Sequence, residues 1–145
     1  MKTNFFLTLL LIVPCLAIAD QDALTYLYEP VLNERQHAMA RRIELHARNT
    51  ELDAAISLSQ DLLDSAETLR DTDPTTYGQV MINHGILRVA AGEYELGLSI
   101  IERGMEFLEA RTNPFDEILT NSIMAKGICQ LLLGSLTDAK DTFRR

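Results

Sequence analysis

Apolar and small residues recur every three to four positions along most of this chain. Residues 51–70 carry Leu52, Ala55, Ile56, Leu62, Leu63, Ala66 and Leu69, and residues 93–111 carry Tyr94, Leu98, Ile101, Met105 and Leu108. Both sets follow the 3.6-residue period of an amphipathic helix. The same reading gives partner helices over about 31–48, 75–91 and 114–133, and a last helix over about 136–145. A short helix near 21–28, with Ala23, Leu24, Leu27 and Tyr28, would cover the first of them. No stretch alternates with period two for long, so no strand is expected.

The helical pattern returns after 42 residues. Leu52, Tyr94 and Leu136 share one register, as do Ala55, Gly97 and Ala139, Met39, Met81 and Ile123, and Ile43, Gly85 and Gly127. Gly92 and Gly134 occupy one phase of the repeat, where a turn is expected, and Gly97 and Gly104 fall where two helices would approach closely. Glycine inside a helix costs about 1 kcal/mol relative to alanine, so its return at fixed phases points to packing and turns. Glu29-Pro30, Asp73-Pro74 and Asn113-Pro114 each precede a helical pattern. Asp and Asn cap helix starts, and Pro fits the first turn because its missing N–H has no partner there. Asp116 and Glu117 would then place negative charge where the helix dipole favours it.

The first 19 residues follow a different logic. Lys2 is a short positive start, Phe5 to Val13 is apolar apart from Thr8, Pro14 breaks the run, and Ala17-Ile18-Ala19 precedes Asp20. These are the parts of a secretory signal peptide cleaved between Ala19 and Asp20, bacterial in form, with the periplasm or the exterior as destination. An uncleaved anchor is the alternative, but the apolar run is short of the roughly 20 residues a span needs. A lipid-modified Cys15 is a third, disfavoured by Pro14 where a small residue is usual. After cleavage no membrane insertion is expected, and one cysteine, Cys129, is left.

Composition narrows the classes. At 145 residues the chain makes one small domain, and 47% hydrophobic with 23% charged residues is a globular balance. The formal charge of −8 comes from 21 acidic and 13 basic side chains. It argues against nucleic acid and anionic membrane surfaces, which need Lys/Arg stripes. Two cysteines and three histidines give neither a disulfide framework nor a cysteine zinc site.

In this register the chain resembles the tetratricopeptide repeat family. Met81, Gly85, Gly92-Glu93-Tyr94, Gly97, Ile101 and Gly104 carry the likeness in the second unit, and Ile123, Gly127, Gly134, Leu136, Ala139 and Phe143 in the third. The first unit matches at Met39, Ile43, Leu52, Ala55 and Leu62, with Ser59 where a large apolar residue is usual. The usual period is about 34; one of 42 resembles the longer-helix variety of kinesin light chains and many bacterial repeat proteins. The likeness covers 36–145, divided as 36–77, 78–119 and an incomplete 120–145, after an N-terminal segment 20–35 with the short helix. It implies an all-α fold of antiparallel helix pairs stacked as a right-handed solenoid. A plain bundle of about four to six helices satisfies the same periodicity. At two further first-helix positions, where the family has Leu and an aromatic, stand Arg42 and His46, His84 and Arg88, and Lys126 and Gln130.

What the resemblance implies about function is binding. First helices of such repeats line a groove that holds a peptide or helix of another protein. Carried over by position, the polar groove candidates are His37, Arg41, Glu44, Arg48, Gln79, Asn83 and Asn121. The apolar ones are Ile82, Ile86, Val89, Met124, Ile128 and Leu131. The family's carboxylate clamp is not reproduced: Asn83 fits one of its positions, but Ala40, Glu44, Asn121 and Ala125 hold the others. The last helix, about 136–145, has no capping helix after it, so its apolar edge is expected to invite a partner, a second copy or a further repeat. An alternative is the structural N-terminal part of a longer envelope protein, such as a TonB-type energy transducer.

No catalytic centre is expected. Glu34-x-x-His37 has the spacing of a metal motif, but neither His46 nor His84 has an acidic residue three positions before it to complete one. There is no G-x-S-x-G and no phosphate loop. Cys129 lies on an apolar helix and reads as a small hydrophobe; His84, beside Gly85, reads as a histidine at a helix contact. No cofactor is expected.

Overall fold

The computed structural model describes residues 32–109 and 117–144, and all the regular structure among them is helical. The N-terminal 1–19 segment, the short helix at 21–28, Glu29-Pro30, Asn113-Pro114 and Asp116 lie outside the described residues. Helix α1 spans Glu34–Arg48 and α2 Leu52–Ala66, which continues as a 3-10 turn over Glu67–Leu69. Helix α3 spans Pro74–Ala90, α4 Tyr94–Glu109, α5 Glu117–Leu132 and α6 Leu136–Thr142. Each helix packs on the next, and α3 also touches α5. The repeat boundaries set at 77/78 and 119/120 fall inside α3 and α5, because a period has no origin of its own.

The starts of α1 and α3 are capped by side chains. Asn33 accepts from the Gln36 N–H and Gln36 Oε1 from the Asn33 N–H, both at 3.0 Å, a reciprocal box that satisfies two free N–H groups. Asp73 caps α3, accepting from the Thr76 N–H at 3.2 Å and its hydroxyl at 2.6 Å, with Pro74 in the first turn.

The turns inside the three pairs are the same turn. Thr50, Gly92 and Gly134 all have positive φ, at 62°, 89° and 79°. The N–H of each donates three residues back, to Ala47, Val89 and Leu131. The next N–H donates five back, from Glu51 to His46, Glu93 to Arg88 and Ser135 to Gln130. This left-handed closure uses carbonyls that a helix end leaves free. Residues 42 apart therefore share one backbone geometry and one set of hydrogen bonds. A side-chain bridge repeats as well: His46 Nδ1 lies 2.5 Å from Glu51 Oε2, and Arg88 Nη1 lies 2.7 Å from Glu93 Oε2.

Helices α3 and α4 approach each other at glycines. A Cβ on Gly78 would stand 2.7 Å from the Gly104 carbonyl, and one on Gly97 would stand 2.8 Å from the Gly85 carbonyl. Gly78 thus faces Gly104 and Gly85 faces Gly97, in antiparallel register and seven residues apart on each helix. The side chains of Ile82 and Val89 lie over Gly104 and Gly97. In the third pair Gly127 is covered by the ring of Phe143.

Two apolar clusters result. The first joins Ala40 and Ile43 of α1, Ala55, Ile56, Leu62 and Ala66 of α2, and Tyr77, Val80, Met81 and Leu87 of α3. The second joins Ile82 and Val89 of α3, Ile101, Met105 and Leu108 of α4, and Cys129 of α5. Helix α3 supplies both, and so is buried on opposite sides. The Tyr77 ring meets Phe107 edge-on at 5.1 Å, and its hydroxyl donates to Glu67 Oε2 at 2.6 Å, tying the 3-10 turn to α3 and α4.

Candidate protein-interaction face

Helix α1 sets His37, Arg41, Glu44 and Arg48 on one side, since steps of four, three and four residues return to one helical face. Arg41 and Arg48 are exposed, His37 and Glu44 partly so. Arg48 and Glu44 form an ion pair along the helix. Glu34, His37 and Arg41 line a surface depression of about 560 Å³. On α5, Met124 is 45% exposed and Leu131 46%, with Ile128 half-buried between them. Asn121 lies within α5.

The α3 candidates are placed differently. Gln79 is 6% and Ile82 4% exposed, and Ile82 and Val89 turn onto the α4 glycines. Ile86 is half-buried against the second cluster, and Asn83 is partly exposed. The most exposed candidates therefore sit on α1 and α5, while on α3 only Asn83 and Ile86 stay partly accessible.

Several of the polar residues that interrupt the repeat pattern have partners, whereas Arg42 is exposed. His84 Nδ1 lies 2.6 Å from Ser59 Oγ, and Arg88 Nε donates to His84 Nε2 at 3.3 Å. Ser59 and His84 each depart from the repeat pattern; taken together in the sequence, the two departures are the one signal that could have revealed this pair. Gln130 is buried and accepts from the Thr142 hydroxyl at 2.7 Å, joining α5 to α6. Lys126 pairs with Glu102 of α4 at 2.9 Å.

Proton affinities follow the packing. Burial, then the Arg88 charge, lowers the pKa of His84. Burial pushes the Cys129 thiol up to about 11, so it stays protonated at neutral pH and donates to the Tyr94 carbonyl at 3.3 Å. The Tyr77 hydroxyl holds the Glu67 carboxyl below its usual range, while burial raises Tyr77 itself. Among the described residues no group of three or more His, Cys, Asp or Glu side chains is placed to hold a metal ion, and no helix is long and apolar enough to cross a membrane.

Comparison with protein-family models, characterised proteins and solved structures finds no match for this chain.

Proposed function

We propose that this protein is an exported, non-catalytic scaffold of the bacterial cell envelope, built of tetratricopeptide-like repeats stacked as a right-handed solenoid. It binds a peptide or helix of another protein along its first helices. The observation that carries the reading is the turn repeated at 50, 92 and 134, identical in φ sign and hydrogen bonds. One helix pair cannot bury its own apolar face, and stacked pairs leave a continuous surface for a ligand. The exposed Arg41 and Arg48 and the exposed Met124 offer that surface charged and apolar contacts.

Site-specific photocrosslinking in the native envelope tests this. A photoreactive residue at Arg41 or Met124 should yield an adduct with another protein, and one at Asp53 or Asp61 on the outer side of α2 should not. Intact mass of the exported protein should correspond to a chain starting at Asp20. Equal labelling from both sides, or Met1 retained on exported protein, contradicts the reading.

A further inference from the structure

His84 is 2% exposed and sits where α3 packs on α2. Its hydrogen bonds leave no freedom in its proton. The Ser59 hydroxyl donates to the Ile56 carbonyl at 2.8 Å, so Ser59 Oγ receives the Nδ1–H of His84 at 2.6 Å. On the other side of the ring Nε2 accepts from Arg88 Nε at 3.3 Å. Arg88 is itself anchored by Glu93 Oε2 at 2.7 Å. The assignments fix one another, and they describe a neutral imidazole in the Nδ1–H form, wired from the α3–α4 turn through α3 into α2.

On the imidazole itself a proton can enter only at Nε2. There it would turn the acceptor of Arg88 into a donor and set two cations in contact in a buried site. The charged groups acting on His84 are Arg88 of its own helix, Asp64 of α2 and Glu93 of the turn. Arg88 opposes the proton and the two carboxylates favour it.

We infer that the α2–α3 seam is a proton-operated latch: uptake of one proton at Nε2 of His84 expels Arg88 from the ring and loosens the first helix pair from the second. The sign follows from linkage. An opened seam lets His84 titrate near its ordinary value of 6.5, whereas the closed seam binds the proton less well. The open form therefore carries more protons below that pH, and opening grows on acidification by at most about tenfold per pH unit.

The test uses the full chain labelled with 15N-histidine. Long-range proton–nitrogen spectra at pH 7.5 should show His84 as the Nδ1–H tautomer, with His37 and His46 as internal references. Hydrogen exchange at pH 7.5 and 5.5, corrected for intrinsic rates, should show amides of 56–66 and 76–88 losing up to about tenfold protection at the lower pH. His84→Gln can donate to Ser59 and accept from Arg88 without titrating, and should abolish that loss. Arg88→Gln removes the opposing charge and should move the His84 titration to higher pH. An Nε2–H tautomer or an imidazolium at pH 7.5 overturns the latch, as does the same loss of protection in His84→Gln. If His84→Gln fails to fold, the wild-type tautomer and the direction of the Arg88→Gln shift decide.

Discussion

Thr50 carries a cost that its counterparts avoid. Gly92 and Gly134 reach positive φ freely, whereas a β-branched side chain at φ 62° is strained against its own backbone. The turn is kept because its hydrogen bonds and the packing of α1 on α2 fix it from both sides. Left-handed non-glycine residues cost about 1–3 kcal/mol, partly offset by the greater unfolded-state entropy of glycine. Thr50→Gly should therefore raise stability by about 1 kcal/mol, read as a higher urea midpoint with an unchanged slope. Ser59 and His84 show the opposite case. Both are polar and buried, and each is the other's hydrogen-bond partner, with the Ile56 carbonyl and Arg88 taking their remaining bonds, so the interior tolerates them.

Helices α3 and α4 can lie so close because four glycines remove the side chains between them. The cost of glycine in a helix is offset by contacts between backbones and by the folding of Ile82 and Val89 over the gap. Gly97→Leu would drive atoms into the Gly85 carbonyl and the Val89 amide, which are backbone and cannot turn aside. A loss of about 2 kcal/mol is expected from such overpacking. Ser99→Leu, two residues along on the exposed side of α4, should stay within about 0.5 kcal/mol of wild type. Denaturant titrations of the two variants measure the difference. Helix α6 is the opposite kind of element. It has seven residues, packs on α5, and is held by Ala139, the Thr142–Gln130 bond and the Phe143 ring over Gly127. Helices of this length are marginal on their own, and amides of 136–142 should exchange well before those of 80–108.

At the scale of the molecule the described part has two apolar clusters that share α3. Each helix packs mainly on the next, and where contacts are between neighbours stability is a sum of local units and the contacts joining them. Ile56 lies in the first cluster and Ile101 in the second. Ile56→Val and Ile101→Val should each cost about 0.5–1.5 kcal/mol. Their combination should be additive within about 0.5 kcal/mol, because they share no cavity. A double-mutant cycle in urea measures the coupling, and a large term would mean that the two clusters respond as one core.

The helices were legible in the sequence because their causes are local. Apolar periodicity marked α2 and α4 to within a few residues; α2 ends at Ala66, short of the expected 70, where the chain tightens into the 3-10 turn. Asp73-Pro74 announced the start of α3, and Gly92 and Gly134 announced two turns. The 42-residue spacing was readable because backbone hydrogen bonds three and five residues apart repeat wherever the chain repeats. Thr50 gave no such signal, since only the register and the packing of its neighbours force it into a glycine's conformation. Nor did the sequence say which way α3 turns. A helix buried on two sides has no polar face to orient it, so Ile82 and Val89 were equally compatible with an open groove. The α4 glycines drew them inward by offering the room. The Ser59–His84 bond joins residues 25 apart, and the most accessible candidates lie on two separate helices, α1 and α5. Such distances are set by how helices stack, and stacking is decided by summed burial over whole surfaces, which no local pattern encodes.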